Sequence, residues 1–394
     1  VARWRHRLDW GVRRITGRRV KDLDRRARTL LRLGAYQLAH TSRIPDRAAV
    51  DRTVALAGGD ARLAGFANGV LRRMAREGVP EPPDGDKTFA PRNALPDWLA
   101  RRWLARHGPE GAAARAHQAN TPAPLTLRVH TGRTTPDDLA ERLRGAGLTV
   151  TPSPILPAAL RVSGDLPVRR FPGYGEGLFY VQDEASQLVG RLVGAAPGER
   201  VLDACAAPGG KTGQLSEAVG PDGEVVAVER DPGRAERLRS NLARLGAANV
   251  RLVEGDAAEI PLDDLGGPFD RVLLDAPCTG LGVLARHPEG KWWKTEAGVT
   301  ACAAAQGRLL DRLADAVRPG GHLVYAVCSG EPEETTEPVA AFLAAHKGFT
   351  IVPARAILGG VGTRWVTSDG RLDTAGNDAG MDGFFAVHLA RKSC

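Results

Sequence analysis

"RVLDACAAPGGKTGQLSEAVGPDGEVVAVE" (200–229) reads as strand, glycine-rich turn, helix and strand in succession. The opening run of Val and Leu stops at a Pro-Gly-Gly turn, and the helical stretch after Gly210 gives way to the β-forming "EVVAVE". Downstream the alternation continues: "GRAERLRSNLARLG" as a helix, "VRLVEG" and "FDRVLLDAP" as strands, "AAAQGRLLDRLADAV" as a helix, and "GHLVYAVC" as a strand. This period predicts an α/β, Rossmann-like domain over 182–394, its sheet mostly parallel and covered by helices on both faces. In such sheets ligands bind beyond the carboxyl ends of the strands. Here those ends carry the polar residues.

Working towards the start, "GLFYVQ", "LTLRVH" and "TPDDLAERLRGAG" predict a small α+β domain over 97–181, its helix entered through Thr135, with a further helix at "DWLARRWLARHG". The proline-rich "VPEPPDGDKTFAPRNALP" (79–96) reads as a linker. Residues 1–78 repeat apolar positions at three- and four-residue spacing and predict an all-α domain. That segment holds 19 Lys and Arg against 7 Asp and Glu, whereas the remainder holds 35 against 39. The basic surplus is thus N-terminal, and nucleic-acid phosphate is the partner such a patch fits. No apolar run is long enough to span a bilayer, and the basic start lacks a signal peptide's apolar stretch, so a cytoplasmic protein is expected. Five cysteines (205, 278, 302, 328 and 394), without CxxC spacing, suggest neither a disulfide framework nor a metal site.

The turn at Cys205, Ala206, Ala207, Pro208, Gly209, Gly210 and Lys211 lets backbone approach a ligand at a helix N-terminus. Glu229 closes the next strand, where a carboxylate can bind a ribose diol, and Asp256 follows the third strand within reach of an adenine amino group. The spacing matches neither GxxxxGK[ST] nor GxGxxG, which disfavours triphosphates and dinucleotides. S-adenosylmethionine, with ribose and adenine but no phosphate, is the expected cofactor.

Cys278 and Cys328 each follow a strand and precede a hydroxylated residue and glycine. A thiolate adding to carbon 6 of cytosine would activate carbon 5 for methylation, with a second thiol helping to free the product. Asp275, fixed by Lys211, could meet the base's N3 and amino edge. The residues alone leave open which thiol attacks. Cys205 and Cys302 read as buried, structural thiols.

"DACAAPGGKT", "LLDAPCTGLGVLARHPEGKWW" and "LVYAVCSGEPEE" resemble the signature motifs of RNA cytosine-5 methyltransferases, and "YVQDEASQL" and "DGFFAVHLARK" are similar to further family elements. "LLRLGAYQLAHTSRIPDRAAVDRTVALA" and "FANGVLRRM" resemble the NusB-like RNA-binding domain of the small-subunit methyltransferase B branch, of the RsmB or Sun type. The resemblance implies Cys328 as nucleophile, Cys278 as the aid to product release, 16S ribosomal RNA or an assembly intermediate as substrate, no metal and no obligate protein partner. Glu229 stands where the family usually has aspartate, Thr279 where it has serine and Gly330 where it has leucine. The resemblance also implies that the first NusB-like helices are missing or shortened. "ARHPEGKWW" suggests that Lys291 and Trp292 clamp a nucleotide or anchor a packed loop. A non-catalytic ribosome-assembly factor, an amino-group methyltransferase and a cytosine-5 enzyme acting on another RNA such as tRNA are the rival expectations.

Overall fold

The computed structural model describes residues 1–393 and falls into two compact units, Val1–Thr121 with His287–Trp293, and Pro122–Arg286 with Lys294 onward. Cys394 lies outside the described residues.

The first unit is helical: α1 (Arg5–Thr16), α2 (Arg25–His40), α3 (Asp46–Ala55), α4 (Ala61–Glu77), the short α5 (Phe89–Arg92) and α6 (Asp97–Asn120). Its apolar stripes meet in a core that includes Leu8, Val12, Leu31, Val70, Leu71 and Met74. Asp24 and Asp60 cap α2 and α4 by accepting from first-turn N–H groups. Arg32 grips Asp9 through two bonds of 2.6 and 2.7 Å, while Arg13, Arg14, Arg18 and Arg25 stay exposed. The 79–96 stretch, expected as a linker, instead buries Ala90, Pro91, Ala94 and Leu95 and contributes α5. Pro91 lies within α5 and Pro96 precedes α6, so the prolines do not prevent packing.

The 287–293 segment belongs to this unit. Lys291 is 1% exposed and donates to Asn120 Oδ1 at 2.6 Å, with the carbonyls of Arg3 and Ala94 at 3.3 and 3.4 Å. Burial lowers its pKa to about 7. Trp292 donates to the Ala2 carbonyl at 2.8 Å under the Arg5 guanidinium. Both side chains are thus committed to packing, and the anchor reading replaces the nucleotide clamp. Trp293 is 66% exposed.

In the second unit, a small antiparallel sheet of order β2-β3-β1-β4 comprises β1 (Leu125–Val129), β2 (Thr149–Pro152), β3 (Ala159–Ser163) and β4 (Phe179–Val181). The helix α7 (Pro136–Gly145) packs on it, with Leu139 and Leu143 against Leu127, Val150 and Phe179. Thr135 caps α7, as its position before Pro136 predicts.

The larger sheet follows α8 (Glu184–Leu192). Its elements are β5 (Arg200–Asp203), α9 (Gly210–Val219), β6 (Glu224–Glu229), α10 (Pro232–Leu245), β7 (Val250–Glu254), α11 (Leu262–Leu265), β8 (Phe269–Asp275), α12 (Glu296–Ala314), β9 (Val317–Val327), α13 (Thr336–Ala345), β10 (Phe349–Val352), α14 (Ala354–Leu358), β11 (Leu372–Asp373) and β12 (Phe385–Arg391). Strand order is β10-β12-β9-β8-β5-β6-β7, with β11 added on β12. The five strands β5 to β9 pair in parallel, and β12 runs antiparallel to its neighbours. Val201, Leu202, Val226, Val272, Leu273, Leu323 and Val324 are buried, as strands covered on both faces require. Strand order reverses between β5 and β8, which opens a crevice at their carboxyl ends.

Candidate active site

The turn after β5 is tied back to its strand: Thr212 Oγ1 donates to Asp203 Oδ2 at 2.8 Å and reaches the Ala206 carbonyl at 3.3 Å. Gly209, at φ +104°, reverses the chain into α9. A Cβ on Gly210 would stand 2.9 Å from the Tyr180 ring, so the helix entry needs glycine there. Asp203 is wholly buried, and burial pushes its carboxyl up to about 6 against the opposing bond from Thr212.

A cleft of about 360 Å³ lies over the strand ends, with Glu229, Asp256, Asp275, Cys278 and Cys328 in its wall. Glu229, at the end of β6, is buried; one oxygen accepts from the Asp231 N–H at 2.9 Å and the other lies 3.5 Å from Arg234. Asp256 accepts from the Ala258 N–H at 2.9 Å and stands 3.5 Å from Arg230. A second cavity of about 240 Å³ includes Lys211, Asp203, Gln182, Arg286 and Phe384 in its lining. Cys205, Ala207 and Asp275 line both spaces. Of the remaining turn residues, Ala206, Pro208 and Gly210 face the second cavity, and Gly209 lines neither.

Lys211 Nζ meets Asp275 Oδ2 at 2.7 Å and lies 4.9 Å from the centre of the Phe384 ring. This pair stands where the two spaces share a wall. Register then explains the cysteines. Asp275 of β8 pairs with Ala326 of β9, so Cys278 and Cys328 leave neighbouring strands three and two residues later. Their sulfurs are 3.2 Å apart. The Cys278 pKa is pushed well up, first by hydrogen bonding to Cys328, then by burial and by the charges of Cys328, Glu334 and Asp275. Cys278 therefore holds its proton. Burial, with Asp203, Asp275 and Glu229 nearby, raises the Cys205 pKa as well and keeps that thiol neutral.

Three features fall inside the quoted motifs, but the sequence does not assign them a role. Arg286 binds Asp183 at 2.6 Å and Asp382 at 2.9 Å, beside the second cavity. Asp382 is pushed up by burial and by Asp183, with Arg286 opposing. Buried Glu334 bonds the residues that follow both cysteines. Close approach of Gly282 to Gly383 completes the loop: a Cβ on Gly282 would meet the Gly383 carbonyl oxygen at 1.8 Å.

A family model described as 16S rRNA methyltransferase RsmB/F matches residues 192–390. The chain belongs to this family. Further models match the NusB family over 1–76 and the RsmF/B-like ferredoxin-like domain over 95–169. Ribosomal RNA small subunit methyltransferase B of Pseudomonas syringae pv. tomato is 39% identical over 350 residues, 88% of this chain and 78% of that protein. The protein of the same name from Citrobacter koseri is 35% identical over 395 residues, 100% of this chain and 89% of its own. A solved methyltransferase homolog from Pyrococcus horikoshii is 28% identical, with a TM-score of 0.65 over 77% of this chain and 97% of that one. As a member of the RsmB/F family, the chain is an S-adenosylmethionine-dependent rRNA methyltransferase. The lining is compatible with that cofactor: buried Glu229 and partly exposed Asp256 place carboxylates, which can accept from hydroxyl and amino groups, in the cleft wall. Among the described residues, no helix is long and apolar enough to cross a membrane.

Proposed function

We propose that this enzyme, acting in the cytoplasm, methylates carbon 5 of a cytosine in 16S rRNA through a transient bond between Cys328 and carbon 6. The contact between the Cys278 and Cys328 sulfurs, at the edge of the cofactor cleft, carries this reading. The 16S substrate draws its support from the descriptions of the matching family and relatives.

Glu229 and Asp256 hold the ribose and adenine of S-adenosylmethionine, which supplies an electrophilic methyl group. The target base lies against the wall formed by Asp275, Cys278 and Cys328, where Asp275 accepts from its amino edge and Lys211, 2.7 Å from that carboxylate, holds it in place. The Cys328 thiolate adds to carbon 6, and the ring becomes an enamine whose carbon 5 takes the methyl. Water then takes the carbon 5 proton, the electrons of that C–H bond re-form the double bond between carbons 5 and 6, and the carbon–sulfur bond breaks with its electron pair returning to sulfur. Cys278, which holds its own proton 3.2 Å away, is placed to protonate the departing Cys328 sulfur.

Small-subunit RNA carrying tritium at cytosine carbon 5 tests the reaction. One triton should leave for each methyl incorporated, and bisulfite sequencing should show one protected cytosine. Methyl incorporation without tritium release would place the group on an exocyclic nitrogen instead. Glu229→Ala should weaken S-adenosylmethionine binding by about 10- to 100-fold in calorimetry, because two charge-assisted bonds to the ribose are lost. An affinity within twofold of wild type would remove Glu229 from the cofactor site.

A further inference from the structure

Two irregular loops must present their sulfur atoms to one base, and neither the β8 nor the β9 ladder extends far enough to fix them. Glu334 lies between these loops, in the 3-10 turn Pro332–Glu334, and is 0% exposed. Its Oε1 accepts from the Thr279 N–H at 2.7 Å. Its Oε2 accepts from the hydroxyls of Thr279 and Ser329, the latter at 2.6 Å. Thr279 follows Cys278 and Ser329 follows Cys328, so a single carboxylate fastens the residue after each thiol. Gln306 reaches across from α12, donating to the Pro277 carbonyl at 2.9 Å and lying 3.4 Å from Oε1. The Tyr325 hydroxyl holds the Glu334 carbonyl at 2.5 Å.

These partners are all neutral donors. A buried carboxylate is costly to desolvate, and apolar or neutral packing serves stability alone as well or better. What a carboxylate adds is direction: short, charge-assisted bonds fix the positions of three donors at once. We propose that Glu334 is a positioning residue that holds the Cys278 and Cys328 loops in register through Thr279 and Ser329, setting the thiol separation that product release needs. This inference rests on the two-thiol reading above. The charge of Glu334 acts in the same place, as one of the causes that keep the Cys278 proton on.

Glu334→Gln keeps the size, removes the charge and turns an amide NH2 towards groups that are themselves donors. In the full chain with small-subunit RNA, turnover should fall about 10- to 100-fold, the size of one or two lost charged hydrogen bonds. KM for S-adenosylmethionine should stay within twofold, and RNA-linked protein should accumulate. The pH at which iodoacetamide alkylates Cys278, read by peptide mass spectrometry, should move down because a neighbouring negative charge is gone. Glu334→Asp should restore that pH while recovering only part of the rate. Ser329→Ala, which keeps the charge and cuts one tie, should slow release without moving the alkylation pH.

A folded Glu334→Gln protein with turnover and alkylation pH unchanged overturns the inference. If that variant fails to fold, Ser329→Ala and Thr279→Ala decide, and wild-type turnover in both overturns it equally. Cys328→Ala measured in parallel separates the two readings. An active Cys328→Ala protein removes the two-thiol mechanism itself, whereas an inactive one beside an unimpaired Glu334→Gln removes only the positioning role.

Discussion

Cys328→Ala should abolish methyl transfer, lowering the single-turnover rate by roughly 10⁴-fold or more, the scale on which loss of a covalent nucleophile is felt. The sulfur is the only group in this account that can activate carbon 5. Removing it leaves Asp275 and Lys211 to orient a base that does not react. Cofactor binding should survive, because Glu229 and Asp256 lie on β6 and beyond β7, away from the end of β9. Rapid-quench assays with labelled cofactor measure the loss, and equilibrium binding provides the control. A variant retaining a tenth of the wild-type rate would show that Cys328 does not attack the base.

Cys278→Ala should stall at a different point. Adduct formation and methyl transfer need only Cys328, so the first turnover proceeds and the methylated RNA stays attached to the protein. Steady-state turnover should fall by about 10²- to 10⁴-fold, the range for loss of a positioned proton donor. An RNA-linked species should survive denaturing electrophoresis and disappear in the Cys278→Ala, Cys328→Ala double variant. If the stable species forms instead when Cys328 alone is replaced, the two thiols have exchanged roles.

Periodicity made the parallel sheet legible, since residues 200–229 spell strand, turn, helix and strand, and the later strands repeat the pattern. The register that sets Asp275 beside Ala326 was not, yet it brings two cysteines fifty residues apart into contact. Their common setting at strand ends still marked them as a pair. Which one attacks came from family resemblance, because spacing says nothing of the order of bond making. Glu334 was illegible for a different reason. Its neighbours Glu331 and Glu333 are also acidic, and only the fold determines which carboxylate meets Thr279 and Ser329. Lys291 and Trp292 were left open by the sequence, since a basic-aromatic run suits a nucleotide or a packed loop, and the bonds to Asn120 and Ala2 decide for packing. In the 79–96 stretch, prolines promised a linker, but Ala94 and Leu95 find apolar cover.

The claim on which all of this stands is a covalent bond between the Cys328 sulfur and carbon 6 of the target cytosine. Small-subunit RNA containing 5-fluorocytidine tests it, because fluorine at carbon 5 cannot leave as a proton does and the adduct persists. Digestion and mass spectrometry should find the methylated fluoronucleotide on the peptide carrying Cys328. Finding it on the Cys278 peptide, or finding no attached nucleotide while unmodified RNA is methylated at the normal rate, would contradict the account.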